Sequence, residues 1–220
     1  MVNSRAEENY LKAIFKLSEK NADNVFTNDL AELLRTRAAS VTDMLQKLSE
    51  KKMIQYKKYQ GVSLTVSGRR AALNIIRKHR LWELFLATKL GFKWDEVHEV
   101  AEQLEHIQSE KLIRHLDDFL GKPKFDPHGD PIPDEKGNIH SNKAFPLSEA
   151  SKSQPVTICG VIDHQPTFLQ HLDKCGLLLG SKLKIKSITD YDKSMNISIM
   201  NTRQQLHISF DVAKNILVTI

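Results

Sequence analysis

The stretch from Ser40 to Thr65, "SVTDMLQKLSEKKMIQYKKYQGVSLT", decides how the first third of the chain folds. Val41, Met44, Leu45 and Leu48 recur at the three- and four-residue spacing of an amphipathic helix. The period then changes. From Ile54 onward, β-forming residues lie on either side of Gly61, which is the pattern of a hairpin with glycine in its turn. Upstream, "TNDLAELL" reads as a short helix with Thr27 placed to cap it, and residues 5–19 set Tyr10, Leu11, Ile14 and Phe15 on one apolar stripe. Helix, helix, a break at "RTRAA", helix and hairpin is the order of a winged helix-turn-helix. An α-helix with its side chains fits a DNA major groove, and wing lysines then reach nearby phosphates.

The positions off the apolar stripe of the third helix are Arg37, Ala39, Ser40, Thr42, Asp43 and Lys47; with Thr27 and the wing lysines Lys57 and Lys58 they are the candidate DNA contacts. Charge agrees with that reading. Between Arg35 and Arg70 the chain has nine basic residues and two acidic ones, within a net charge of +5 overall. The alternative for the same positions is a solvated helix face.

Further helices are expected at "VSGRRAALNIIRKHRLWELFLATKLG", "WDEVHEVAEQLEHI" and "SEKLIRHLDDFLG", which carry more large apolar side chains than one small domain can bury. A homodimer formed through them is the expectation, since paired half-sites on DNA mirror a dimer's symmetry. Six of the seven prolines then fall between Gly121 and Pro155, a stretch that reads as connecting segment. Beyond it "VTICGVI", "KLKIKSI", "NISIMN" and "LHISF" look like short strands around a helix at "PTFLQHLDKCG", which suits an SH3-like β-barrel. The fold class is mainly α with a small β part: a winged helix-turn-helix over 1–72, a helical dimerisation domain over 73–140, a linker over 141–154 and the SH3-like domain over 155–220. No apolar run approaches the roughly 18 residues of a membrane span, and the charged N-terminus does not read as a signal peptide, so the cytoplasm is the expected compartment. Cys159 and Cys175 lack a metal or disulfide spacing.

One segment runs against the basic character of the chain. From Trp94 to Glu110 there are six carboxylates, two histidines and no lysine or arginine. At about 100° per residue, His98, Glu102, Glu105 and His106 share one arc of a helix. Such clustering without a cation costs repulsion or raised carboxyl pKa values, and a divalent ion removes that conflict. The preceding helix offers His79 and Glu83 four residues apart, hence on one side. Imidazoles mixed with carboxylates suit Mn²⁺, Fe²⁺, Zn²⁺ or Co²⁺, and the oxygen-rich donor set leans toward Mn²⁺. Enzyme patterns fit poorly. "HEVAE" lacks the second histidine of a zinc-protease helix, and "EQLEH" is not the spacing of di-iron bundles, so no catalytic residue is assigned.

Through "EENYLKAI", "SVTDMLQKL", "LTVSGRRAA", "RKHRLWELFL", "VHEVAEQLEH" and "DPHGDPIP" the chain resembles the DtxR/MntR family of metal-dependent transcriptional repressors, and the resemblance continues weakly into the last domain, which would be FeoA-like. It implies two metal sites per subunit. In the regulatory one, Glu102, Glu105 and His106 would be joined by Asn9; the second would use His79, Glu83 and His98, completed from the last domain by His164. Glu102 stands where iron-responsive members carry cysteine, which resembles the manganese branch, whereas Lys12 departs from that branch's acid. His115, His128, His140, His171 and His207 are assigned to surface, linker or barrel packing.

The function implied is metal-dependent repression: an ion held by both the first helix and the dimer-forming helices fixes the angle between two DNA-reading heads on a palindromic operator, controlling metal-uptake genes. The alternatives are a metal-buffering or interaction module whose winged helix no longer reads DNA, and a DNA-binding protein whose metal is purely structural.

Overall fold

The computed structural model describes residues 3–20, 25–57, 60–140, 143–152 and 154–220. The chain divides into two compact units, one made of Met1–His79, Glu102–His115 and Pro133–Ile139, the other of Arg80–Ala101, Leu116–Ile132 and His140–Ile220.

The first unit carries helices α1 (Arg5–Lys20), α2 (Thr27–Leu33) and α3 (Ala38–Glu50), the strands β1 (Ile54–Lys57) and β2 (Gly61–Leu64), and the start of α4 (Val66–Lys89). This is the winged-helix order read from the sequence. Leu11 and Ile14 of α1, Leu30 of α2, and Val41, Leu45 and Leu48 of α3 are fully buried in one core with Val25 and Val62. Each buried leucine side chain contributes about 1.5–3 kcal/mol of burial, which is why the apolar stripes dictate how the three helices meet. In the hairpin, Ile54 pairs with Leu64 and Lys57 with Gly61, whose φ of 93° lies in the region that favours glycine. A bridge from Val25 to Val62 widens the wing.

Helix starts differ in how they are satisfied. Ser4 and Glu7 form a reciprocal box at α1: the Ser4 amide donates to Glu7 Oε2 at 2.8 Å and the Glu7 amide to Ser4 Oγ at 3.3 Å. At α2, Thr27 is the first helical residue rather than the cap expected from the sequence; Phe26 precedes the helix, and its amide donates to Asp29 Oδ2 at 3.2 Å. The acid inside the first turn thus satisfies the amide of the residue before the helix, while among the described residues no side-chain cap holds the amides of the first turn.

The second unit holds the rest of α4, most of α5 (Val97–Leu104), the end of α6 (Glu110–Phe119) and a six-stranded antiparallel sheet. The sheet comprises β3 (Phe145–Pro146), β4 (Val156–Val161), β5 (Lys182–Ile188), β6 (Met195–Ile199), β7 (Gln205–Ile208) and β8 (Ile216–Thr219), in the order β3-β8-β4-β5-β6-β7. Between them lie α7 (Pro166–Cys175) and the short α8 (Phe210–Ala213). Inward-pointing Ile158, Leu183, Ile185, Ile197, Ile199, Ile216 and Val218 pack with Leu169 and Leu172 of α7 into its core. The alternating burial of β5, exposed then buried along Lys182–Ile188, is the two-residue period that the sequence shows.

The proline-rich stretch is more ordered than a linker. Phe125 bridges Pro131, Asp126 and Ile132 are buried, and β3 and a 3-10 turn at Leu147–Glu149 belong to the last domain. The loop is pinned to β4 by the Val161 amide donating to the His128 carbonyl at 2.9 Å. Gly129 allows that approach: its φ is 87°, and a Cβ there would fall 2.1 Å from the Cys159 carbonyl oxygen. Among the described residues, no helix is long and apolar enough to cross a membrane.

Candidate metal centres and nucleic-acid interface

Helix α3 turns Val41, Leu45 and Leu48 inward, leaving Arg37, Ala39, Ser40, Asp43 and Lys47 exposed. Thr27 and Thr42 are half-buried, and the Thr42 hydroxyl donates to the Ala38 carbonyl within its own helix at 3.0 Å. Lys57 is exposed at the end of β1; Lys58 lies outside the described residues. Two cations of this face are already engaged. Glu7, 1% exposed, lies 2.8 Å from Lys51 Nζ and 3.2 Å from Lys47 Nζ. Burial alone would raise the Glu7 carboxyl, but Lys51, the Ser4 amide and Lys47 together hold it down at about 2.

In the same unit, α1, α4 and the end of α5 bring charged groups together around Glu105, which is fully buried. Lys12 Nζ donates to both Glu105 oxygens, at 2.6 and 2.8 Å, and lies 3.5 Å from Glu102 Oε1. His79 Nδ1 donates to Glu105 Oε2 at 2.6 Å. Burial pushes the Glu105 carboxyl upward, yet His79 and Lys12 outweigh it and hold it below the ordinary carboxylate range. On the other side, His106 Nδ1 donates to Glu8 Oε2 at 2.6 Å, Gln108 Nε2 donates to Glu8 Oε1 at 2.8 Å, and His106 Nε2 stands 3.7 Å from Glu105. Asn9 is exposed, so the α1 carboxylate in this cluster is Glu8. Helix α5 ends at Leu104, which places Glu105 and His106 in the following turn, off the helical arc that their spacing suggested. The cluster can therefore join α1 to the segment after α5, and in this chain an ammonium from α1 already supplies one positive charge to it.

The second unit contains a different set. Glu83 of α4 lies 3.2 Å from His98 Nδ1 of α5 and 3.8 Å from His128 Nδ1 of the proline-rich loop. Donor atoms of Glu83, Asp126 and His128 lie within 4.8 Å of one another, all three residues buried. His128 Nε2 is 2.7 Å from the Trp94 carbonyl oxygen, which only accepts, so Nε2 carries the proton. Its Nδ1 has no hydrogen-bond partner among the described residues. A backbone carbonyl fixing one imidazole nitrogen while the other faces carboxylates is how proteins orient a metal-binding histidine. The Asp126 carboxyl is driven well above its ordinary value by burial and by the like charges of Asp130 and Glu83, with Arg80 opposing. Two buried carboxylates beside an imidazole nitrogen that no hydrogen bond satisfies fit a divalent cation. His164 stacks on His128 with ring centroids 4.7 Å apart, and its Nε2 is 3.3 Å from the Val161 carbonyl. Burial lowers its imidazole pKa.

The structure thus distributes the sequence candidates between the units. Glu102, Glu105, His106 and His79 belong to the Lys12 cluster; Glu83, His98 and His164 belong to the second unit, with His79 one turn before Glu83 on α4. Glu8, Asp126 and His128 were missed. The Asp-x-His spacing in "DPHGDPIP" was visible, but only the docking of that loop through Gly129 shows that its side chains are buried beside Glu83.

Comparison with known proteins follows the same partition. Residues 3–62 match the family described as "Iron dependent repressor, N-terminal DNA binding domain", residues 65–134 "Iron dependent repressor, metal binding and dimerisation domain", and residues 145–220 "FeoA domain". A solved structure described as "Manganese-dependent transcriptional repressor complex with manganese" superposes with a TM-score of 0.84 at 34% identity, over 97% of this chain and 99% of that one. The diphtheria toxin repressor of Corynebacterium diphtheriae is 26% identical over 95% of this chain and 94% of its own length. The iron-dependent repressor IdeR of Mycobacterium leprae is 32% identical over 57% of this chain, and the matched region spans 54% of that protein's length. With the winged helix, the metal-binding and dimerisation domain and the FeoA domain matched in series, and with a full-length structural relative at 34% identity, the chain belongs to the DtxR/MntR family of metal-dependent repressors.

Proposed function

We propose that this chain is a metal-dependent DNA-binding repressor that binds a palindromic operator as a homodimer when loaded with Mn²⁺, with Fe²⁺ as the alternative ion, and controls genes of metal uptake. The observation that carries the metal dependence is the buried Nδ1 of His128, without a hydrogen-bond partner among the described residues, facing the buried carboxylates of Glu83 and Asp126. Those three residues would hold one ion, with His98 and His164 as further donors from adjoining segments of the same unit. The oxygen-rich set favours Mn²⁺ over softer ions. The ion would supply positive charge beside Asp126, whose carboxyl burial otherwise forces toward protonation.

The Lys12 cluster is the link to DNA reading in this proposal. Glu8 on the first helix is held by His106 and Gln108, so whatever occupies Glu8, Glu102, Glu105 and His106 sets the angle of the winged helix. An ion coordinated by Glu105 there must move Lys12 from it. A shift from 1:99 to 99:1 between reading geometries needs about 5.5 kcal/mol, within the reach of metal–ligand bonds acting on two subunits.

The test is a gel shift on a promoter fragment with Mn²⁺ or with chelator, using the parent chain, Glu102→Ala and His106→Ala. Both variants should fold and dimerise but lose metal-stimulated binding; parent binding that is equally tight in chelator refutes the proposal. A second reading, a metal-buffering module that does not read DNA, draws on Glu7 engaging Lys47 of α3 and Lys51 just after it, and the same gel separates it by showing no shift under either condition.

A further inference from the structure

Strand β5 carries lysines at alternate positions. Lys182, Lys184 and Lys186 are all exposed, while Leu183 and Ile185 between them are buried, so the three ammonium groups project from the outer face of the FeoA-domain sheet. At about 3.4 Å per residue they are spread over roughly 14 Å. The register shows what surrounds them. Lys182 pairs with Thr157, which pairs in turn with Thr219. Lys184 pairs with Ser198, and Ser198 with Gln205. The next row is Ser187, Asn196 and His207, tied together by Asn196 Nδ2 donating to Ser187 Oγ at 2.8 Å and by a 3.0 Å contact between His207 Nδ1 and Asn196 Oδ1.

The neighbours named in these rows are hydroxyl, amide or imidazole groups, and an exposed Met200 stands beside Lys182, its amide donating to the Lys182 carbonyl at 2.8 Å. None is a carboxylate, and no ion pair to the three lysines is present among the described residues. The nearest acids along the chain, Asp190 and Asp192, lie in the turn after β5, where Asp192 accepts from the amide and hydroxyl of Ser194. This departs from the habit of exposed sheets, whose cross-strand pairs mix charges of opposite sign. One imidazole, His207, and one apolar side chain, Met200, fall short of the ring platform on which unpaired bases stack and of the apolar face that would enter a bilayer. Cations flanked by neutral hydrogen-bond donors fit the phosphate backbone of duplex DNA, a contact that positions a protein without reading sequence.

We infer that the outer face of β5 and β6 is a second DNA-binding surface, contacting duplex phosphates through Lys182, Lys184 and Lys186. The inference rests on the DNA-reading function proposed above, because the winged helix in the same chain would hold this sheet at high effective concentration near the duplex. The surface adds affinity and salt sensitivity, not base specificity.

The experiment measures binding of the full-length chain, in Mn²⁺, to a duplex carrying the promoter fragment and to a random-sequence duplex, by fluorescence anisotropy between 50 and 200 mM salt. The variants are the triple Lys182→Gln, Lys184→Gln, Lys186→Gln and the charge-retaining triple Lys→Arg at the same positions. Three lost phosphate contacts lower the slope of log K against log salt by about 2.7, so the advantage of the parent over the glutamine variant shrinks about 40-fold across that range. The arginine variant keeps the parent slope. Equal slopes for parent and glutamine variant overturn the inference, whether or not that variant has lost binding to phosphatidylserine vesicles. A parent chain that binds neither duplex sinks the DNA-reading proposal together with this one, whereas metal-stimulated parent binding with equal slopes sinks this one alone.

Discussion

Replacing Glu7 with Gln keeps the shape of the side chain and removes a single charge from a buried point where three partners meet. The carboxylate accepts from the Ser4 amide and faces Lys51 and Lys47 at 2.8 and 3.2 Å. Its drop from an ordinary 4.5 to about 2 corresponds to about 3 kcal/mol of preference for the charged form. Lys47 is 55% exposed on its side chain, so water and salt screen part of that, and about 2 kcal/mol is the expected loss for Glu7→Gln at pH 7. The sign follows from the lowered acid: its stabilisation is complete above the unfolded value near 4.5 and disappears as pH falls from there through about 2. Urea unfolding of parent and variant at a series of pH values tests this. The gap between the two should be about 2 kcal/mol at pH 7 and close toward zero near pH 2. A gap of unchanged size at low pH refutes the reasoning, since it would trace the loss to packing or to the helix start instead of to charge.

Three further outcomes are expected. Lys12→Gln leaves the carboxylates of Glu105 and Glu102 without their ammonium, costing about 3–5 kcal/mol in chelator, and thermal melts should show millimolar Mn²⁺ restoring much of it. Trp94 stacks on His128 with ring centroids 6.3 Å apart, so Mn²⁺ titration should quench tryptophan fluorescence in the parent, and His128→Gln should abolish the response and weaken the metal affinity seen by calorimetry; an unaltered titration would remove His128 from the site. Gly129→Ala forces a Cβ to within 2.1 Å of the Cys159 carbonyl, so the loop must leave β4; Mn²⁺ binding at Glu83, Asp126 and His128 should weaken at least tenfold while the far-ultraviolet circular dichroism spectrum stays that of the parent.

Much of the fold was legible because its information is local. The stripe Val41, Leu45, Leu48 and the turn at Gly61 specify a helix followed by a hairpin regardless of what surrounds them, and the alternation along "KLKIKSI" specifies a strand. Strands β3 and β8 were not legible, since "FP" and "ILVT" are too short for a period and gain their strand character only by pairing with each other and, for β8, with β4.

By itself the sequence determined the winged helix, the helical metal-binding segment, the sheet-forming last domain and the concentration of acid and imidazole between Trp94 and Glu110. Tertiary structure alone decided which of those groups meet. Successive residues on a helix point about 100° apart, so a one-position difference turns Glu8 toward His106 and leaves Asn9 in solvent. The early end of α5 at Leu104 swings Glu105 to Lys12 and His79. His128 becomes a candidate ligand only because a glycine lets its loop close on β4. Spacing records what a helix would present, whereas the direction a side chain finally takes is set by where helices end and by which backbones can approach each other.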